Sequence, residues 1–280
     1  MAQQLKKPNP GLWSLTRPAQ LVSYFWLPLA LIVIWWIVSL DSQSFFLPPL
    51  SDIVRTLLDD LLNGVLLGAT AFSMRNVMAG LIIAIVLGIG FGIAIGYNPV
   101  LRSAVWPLLA FLRAIPGVAI IPIVLVAFGV GAGPQIFVIS LGCVWPILLN
   151  TIDGIRGIRP SITDTARAYR LPRSLFIRQV LLPAATPQIM AGIRISLAVS
   201  LTIMVVSEFS SGNQGLGVYI SSGAQSFNPS QVWAGTVFIG LIGYLANVAF
   251  VLIERKILAW YFEIPRKTRQ EKHVTRRRWK

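Results

Sequence analysis

The chain has 280 residues, of which 55% are hydrophobic and 12% charged, and its mean hydropathy is +0.71. A soluble domain carries roughly 25% charged residues, so the composition excludes a soluble fold and indicates a membrane domain. The net charge of +14 sits at the chain ends and in one internal segment rather than on a folded face. That is a juxtamembrane pattern, and it argues against nucleic acid as a partner.

Residues 1–22 are polar, with Lys6, Lys7 and Arg17, and read as a cytoplasmic segment. The run 23–40 is long enough to cross a hydrocarbon core of about 30 Å and carries Tyr24, Trp26, Trp35 and Trp36 for the interfaces. It lacks a small-residue cleavage site and is expected to be a retained span. After Pro48 and Pro49, Ser51 is placed to cap a short helix with Asp52 in its first turn. Ile53, Val54, Leu57, Leu58 and Leu61 give that helix one apolar side, opposite Arg55, Asp59 and Asp60, as in a helix lying along a membrane surface or a bundle.

The second span, about 69–97, carries Gly80, Ala84, Gly88, Gly92 and Gly96 at i,i+4 spacing. Such a ladder admits a close neighbour, and the expected neighbour is another helix of the same chain. The third span, near 105–129, contains Pro107, Pro116 and Pro122, and is expected to face protein or a cavity that satisfies the freed carbonyls. The fourth covers 135–150 and its flanks, kinked at Pro146, with Cys143 as a buried structural thiol. A polar segment, 152–187, precedes a fifth span at 189–209. An uncharged loop rich in Gly, Ser and Asn, 210–231, leads to a sixth span at 232–253. A basic tail, 255–280, contains His273.

Six spans put both termini, the turn near 98–104 and the polar segment on one side, with 21 of the 24 basic residues. The positive-inside bias makes that side cytoplasmic. Residues 1–22, a six-helix membrane domain over 23–254 and the tail over 255–280 are the expected parts.

The polar segment holds Arg156, Arg159, Arg167, Arg170, Arg173 and Arg178 against Asp153 and Asp164, and so cannot lie in hydrocarbon. Pro160 and Ser161 start a helix, with Ser161 as a cap and Asp164 near its positive end. Pro172 opens a second helix that Pro183 and Pro187 are expected to close. Two short helices at a sharp angle make a knob able to pass motion between a soluble partner and the bundle.

The spacing within this segment resembles the EAA signature of binding-protein-dependent ABC importer permeases. Asp164-Thr165-Ala166, position 170 and Val180-Leu181-Leu182-Pro183 fall in register with it, with Asp in place of Glu and Arg170 in place of a glycine. Residues 46–49 (FLPP), 112–131 (LRAIPGVAIIPIVLVAFGVG), 207–209 (SEF) and 215–217 (GLG) are similar to the nitrate, sulfonate and taurine branch of that family. The resemblance implies an all-α membrane permease of the type I ABC importer fold in the bacterial plasma membrane. It works as a pair of permease subunits, a homodimer by expectation, in the lipid bilayer. It further implies two cytoplasmic ATPase subunits that bind ATP and Mg, and an external substrate-binding protein. Asp164, Ala166, Arg167, Arg170, Leu171 and Pro183 would then belong to the ATPase-coupling loop. The substrate implied is a small anion such as nitrate, a sulfonate or taurine, or a similar organic acid.

The chain's own residues fit that division of labour. It has no Gly-x-x-x-x-Gly-Lys-Ser/Thr loop to cradle nucleotide phosphates, and no Ser/His/Asp or metal-binding cluster, so no cofactor is expected in this chain and no catalysis. For the pathway, Arg113, Pro116, Arg194, Ser207 and Glu208 are the candidates. Glu208, an acid deep in an apolar run, is open to a pathway role or a capping and packing role. Arg113 and Arg194 are placed to snorkel. The alternative reading, an ion-coupled secondary transporter or channel, calls for several intramembrane acids, and Glu208 alone is on offer.

Overall fold

A computed structural model describes residues 17–261 other than 41, 43, 45 and 212. The polar segment before Arg17 and the tail beyond Tyr261, with His273, lie outside the described residues. Among the described residues the structure is helical throughout. In chain order the helices are α1 (Arg17–Ser39), α2 (Leu50–Leu62), α3 (Val65–Tyr97), α4 (Pro99–Ala114), α5 (Ile121–Phe128), α6 (Ala132–Arg156), α7 (Pro160–Ala168), α8 (Arg173–Phe176), α9 (Leu182–Ser211), α10 (Leu216–Gln225) and α11 (Pro229–Ile257).

The small-residue ladder of α3 packs on α6, as the i,i+4 pattern predicts. A Cβ on Gly80 would stand 2.7 Å from Ile139 Cγ2, one on Gly88 2.8 Å from Ile147 Cγ2, and one on Gly92 2.5 Å from Thr151 Cβ. Gly96 faces Ile155 in the same way. Side chains larger than hydrogen would push the helices apart, and in lipid close packing is what holds helices together. Residue numbers rise together along both helices, so α3 and α6 run parallel. Against α6, α9 runs antiparallel: Ser196 Oγ donates to the Cys143 carbonyl at 2.7 Å, and Gly154 lies against Ala185 and Gln188. Cys143 is fully buried in this core.

Four helical stretches are long and apolar enough to cross a membrane: Val65–Tyr97, Ala132–Arg156, Arg173–Ser210 and Pro229–Ile257. The third expected span is broken. Pro99–Ala114 and Gly117–Phe128 meet at a 77° bend, with a 3-10 turn over Gly117–Ile120. Pro116 causes this: it has no N–H to continue α4, and it drives Ile115 before it into an extended conformation, φ −75° and ψ 117°. Pro122 then sits in the first turn of α5, where its missing N–H is harmless. Because α3 and α6 run parallel, the bent pair must carry the chain back from the end of one to the start of the other. It counts as a fifth crossing. Helix α1 has 23 residues and contains most of the run expected as the first span.

Four local expectations are corrected. Helix α2 starts at Leu50 with Pro49 as its N-cap residue, not at a Ser51 cap, although Asp52 does lie in the first turn. The expected loop 210–231 contains the helix α10. In the polar segment, Arg159 rather than Ser161 is the N-cap of α7, Pro160 takes the first helical position, and no acid lies in the first turn. The segment's second helix does not end at Pro183 or Pro187 but runs on into α9. A π turn over Ile177–Leu181, in which the Leu182 N–H donates to the Ile177 carbonyl, separates α8 from α9. The wider turn makes room for the Pro183 ring, which in a regular α-helix would strike a carbonyl four residues back.

Candidate functional site

The polar loop is built at the end of the bundle where α3 and α6 finish and α9 begins. Its first helix, α7, ends in a Schellman-type turn: the Leu171 N–H donates to the Ala166 carbonyl at 3.1 Å and the Arg170 N–H to that of Arg167 at 2.9 Å. Arg170 adopts the left-handed conformation this turn demands, φ 51°. Pro172 follows and opens α8. Ala166 and Phe176 face inward and join the core with Ile155, Leu181 and Ala185. Phe176 also meets Tyr97 at the end of α3, ring centroids 6.1 Å apart. The loop is thereby braced on both neighbouring helices.

The outer face of the loop is not uniformly polar. Tyr169 is 78% exposed, and Ile162 and Leu171 are partly exposed beside it. With Ser161, Thr165 and Val180 they border an open groove of about 560 Å³. Asp164 and Arg167 form an ion pair of 3.6 Å at the surface, with side chains 68% and 83% exposed. An exposed pair of this kind contributes less than about 1 kcal/mol, so both charges remain available to a partner. Pro183 lies just beyond the π turn, at the start of α9.

The pathway candidates fall in three places. Arg113 and Pro116 flank the break between α4 and the 3-10 turn. Arg194 of α9 forms an ion pair with Glu254 of α11 and lies 6.0 Å from the Phe250 ring. Ser207 and Glu208 are buried at the far end of α9. There Ser73 Oγ of α3 donates to Glu208 Oε1 at 2.7 Å, and the Gly217 N–H of α10 donates to Glu208 Oε2 at 2.7 Å. The Leu216 N–H in turn donates to Ser73 Oγ at 2.9 Å. The acid therefore serves as an N-terminal cap for α10 supplied from another helix, at the end where the helix dipole favours negative charge.

Sequence reasoning missed three buried polar residues, Ser73, Asn76 and Gln135. Asn76 Nδ2 donates to Gln135 Oε1 at 2.6 Å, and both residues are fully buried. The signal was present: Asn76 is the next rung of the ladder before Gly80, and Gln135 is the rung before Ile139 that faces it. This polar pair at the end of an apolar seam ties α3 to α6 and fixes their register, while Asn76 Oδ1 stays buried without a hydrogen-bond partner.

The described residues thus form a helical membrane bundle with a polar two-helix loop at one end. Residues 80–259 match the family model of the binding-protein-dependent transport system inner membrane component, and the chain belongs to that family. It is 37% identical over 190 residues to the bicarbonate transport system permease protein CmpB of Synechococcus elongatus, covering 68% of each chain. It is 28% identical over 241 residues to the taurine transport system permease protein TauC of Escherichia coli, covering 84% of this chain and 88% of that one. In fold it resembles the inward-facing MetNI methionine ABC transporter, with a TM-score of 0.60 at 20% identity over 71% of this chain and 98% of that one. The chain is thus a permease subunit of an ABC importer, with the type I fold.

Proposed function

We propose that this subunit moves a small anion, an oxyanion or a sulfonate, across the plasma membrane, energised by two ATPase subunits that bind ATP and Mg and dock on the α7–α8 loop. The observation that carries the coupling role is the pairing of exposed apolar side chains, Tyr169 and Ile162, with a helix continuous from Arg173 to Ser210. Apolar surface on a polar, water-facing loop marks a protein contact, and a helix that runs on through its π turn to the far end gives displacement a path to the membrane interior. The anion class is supported by the names of relatives that carry bicarbonate and taurine. A second copy of this chain completes the translocation unit, an external binding protein delivers the solute, and both termini lie in the cytoplasm, where the basic residues concentrate. Docking of the partner on this loop biases the bundles between inward-open and outward-open states.

The test is uptake into proteoliposomes containing the reconstituted complex. Wild type takes up solute only with ATP, and an uncoupler has no effect. Asp164→Lys reverses an exposed charge, and Ala166→Glu buries one; each lowers ATP-driven uptake by at least about tenfold while the chain remains inserted. Uptake at wild-type rates in both variants, or ATP-independent uptake by the chain alone, overturns the proposal.

A further inference from the structure

The acid Glu208 is 0% exposed at the end of α9 remote from the coupling loop. Arg173 and Glu208 are separated along one helical rod by on the order of 50 Å, at 1.5 Å per residue. At the far end of this rod the carboxylate is gripped by α10. Gly215, at φ +120°, and Gly217 are the residues that let it in. A Cβ on Gly215 would stand 2.3 Å from Glu208 Cδ, and one on Gly217 would stand 2.6 Å from the Val205 carbonyl oxygen. Helix α10 is bound in turn to the rest of that end. The Tyr219 hydroxyl donates to Asp60 of α2, and Gln231 Nε2 of α11 donates to the Tyr219 carbonyl at 2.9 Å and to Ser222 Oγ at 3.0 Å. Burial, with Asp60 alongside, raises the Tyr219 pKa above that of a free tyrosine, so the hydroxyl remains a donor at neutral pH. Three helices, α2, α10 and α11, are thus tied into one plate, and the plate is tied to the rod through Glu208.

We infer that Glu208 is a positioning residue for transport: it clasps the α2–α10–α11 plate to α9, so that displacement of the coupling loop moves the opposite face of the bundle. This rests on the ATPase-docking role of the α7–α8 loop. It places Glu208 outside the solute pathway, because its carboxylate is engaged by Ser73 and Gly217 among others. Sequestration of this kind differs from an ion-coupling acid, which must bind and release its cation in each cycle. A continuous helix with a polar clasp at one end and a docking loop at the other is a two-ended element through which each end biases the other.

The deciding measurement is the ratio of solute imported to ATP hydrolysed, in the full complex with its binding protein. Glu208→Ala and Ser73→Ala are compared with Glu208→Gln, which keeps the shape and one acceptor oxygen. Glu208→Ala should leave ATP hydrolysis running while solute per ATP falls about tenfold, with KM for solute within about twofold of wild type. Ser73→Ala should give a smaller fall in the same ratio, and Glu208→Gln should recover part of it. Hydrogen exchange at the Leu216 and Gly217 amides should quicken in step with the loss. If wild type shows no ATP-driven uptake, the coupling reading itself fails. If wild type couples normally and the ratio is unchanged in Glu208→Ala, the clasp is refuted. Should Glu208→Ala fail to fold, an unchanged ratio in Ser73→Ala refutes it equally. A selective rise in KM instead returns Glu208 to the pathway.

Discussion

At the scale of single residues, Arg170 is the exception that the fold explains. Its position in the signature belongs to glycine, and the backbone there has the φ of 51° that glycine serves. A left-handed conformation costs an L-residue about 1 kcal/mol, and here two hydrogen bonds, from the 170 and 171 N–H groups, hold the turn regardless. A β-branched side chain would add to the strain, because its second Cγ crowds the carbonyl. Arg170→Val should therefore speed hydrogen exchange at the Leu171 amide by about fivefold or more, the equivalent of about 1 kcal/mol, whereas Arg170→Gly leaves it unchanged or slower. Equal exchange in the two variants would mean the turn carries no strain. The sequence marked position 170, where the motif spacing calls for glycine, and the structure supplied the reason, a left-handed φ. The sequence did not reveal the engagement of Glu208, because the groups that grip it come from residues 73 and 217, and a linear reading sees only an acid in an apolar run.

At the scale of elements, the α3–α6 seam was legible and the α4–α5 break was not. The ladder is a property of one helix and shows as a period. A proline, by contrast, has several outcomes that depend on its surroundings. Pro146 lies inside α6, Pro116 breaks a span, and Pro183 is accommodated after a π turn. Helix α10 was hidden for a similar reason: its Gly and Ser content, between Asn213 and Asn228, reads as loop, and the groups that stabilise its first turn are tertiary. The seam makes a paired prediction possible on one helix. A Cβ at Gly90 would meet nothing within 4 Å, whereas one at Gly92 would lie 2.5 Å from Thr151 Cβ. Gly90→Ala should stabilise the bundle by up to about 1 kcal/mol through helix propensity. Gly92→Ala gains the same propensity but overpacks the seam, at about 1–3 kcal/mol. Thermal unfolding in micelles should thus move upward for the first and downward for the second. A rise in both would show that α6 yields to α3 and that the ladder is not tightly packed.

At the scale of the whole molecule, helix direction and charge agree without having been derived from each other. Parallel α3 and α6, with α9 antiparallel to α6, bring Tyr97, Arg156 and Arg173 to one end. Arg194 of α9 meets Glu254 of α11, and Gly243 of α11 meets Leu201 of α9, so α11 also finishes at that end, with Arg255 and Lys256. The basic residues of the polar loop are there, and α2 and α10 are at the other end. The charge bias from sequence and the packing from structure thus sort the same residues to the same side. This arrangement can be read out chemically, because Cys143, the sole cysteine, is fully buried and gives a silent background to an impermeant maleimide. Single cysteines at the exposed positions Val100, Val130, Tyr169 and Gln225 then report the side of each turn. Val100→Cys and Tyr169→Cys should label only in inverted vesicles, and Val130→Cys and Gln225→Cys only in right-side-out ones. The Val130 position is the decisive one. Labelling from the same side as Val100 would make the bent α4–α5 pair a re-entrant loop, which a parallel α3–α6 seam does not permit.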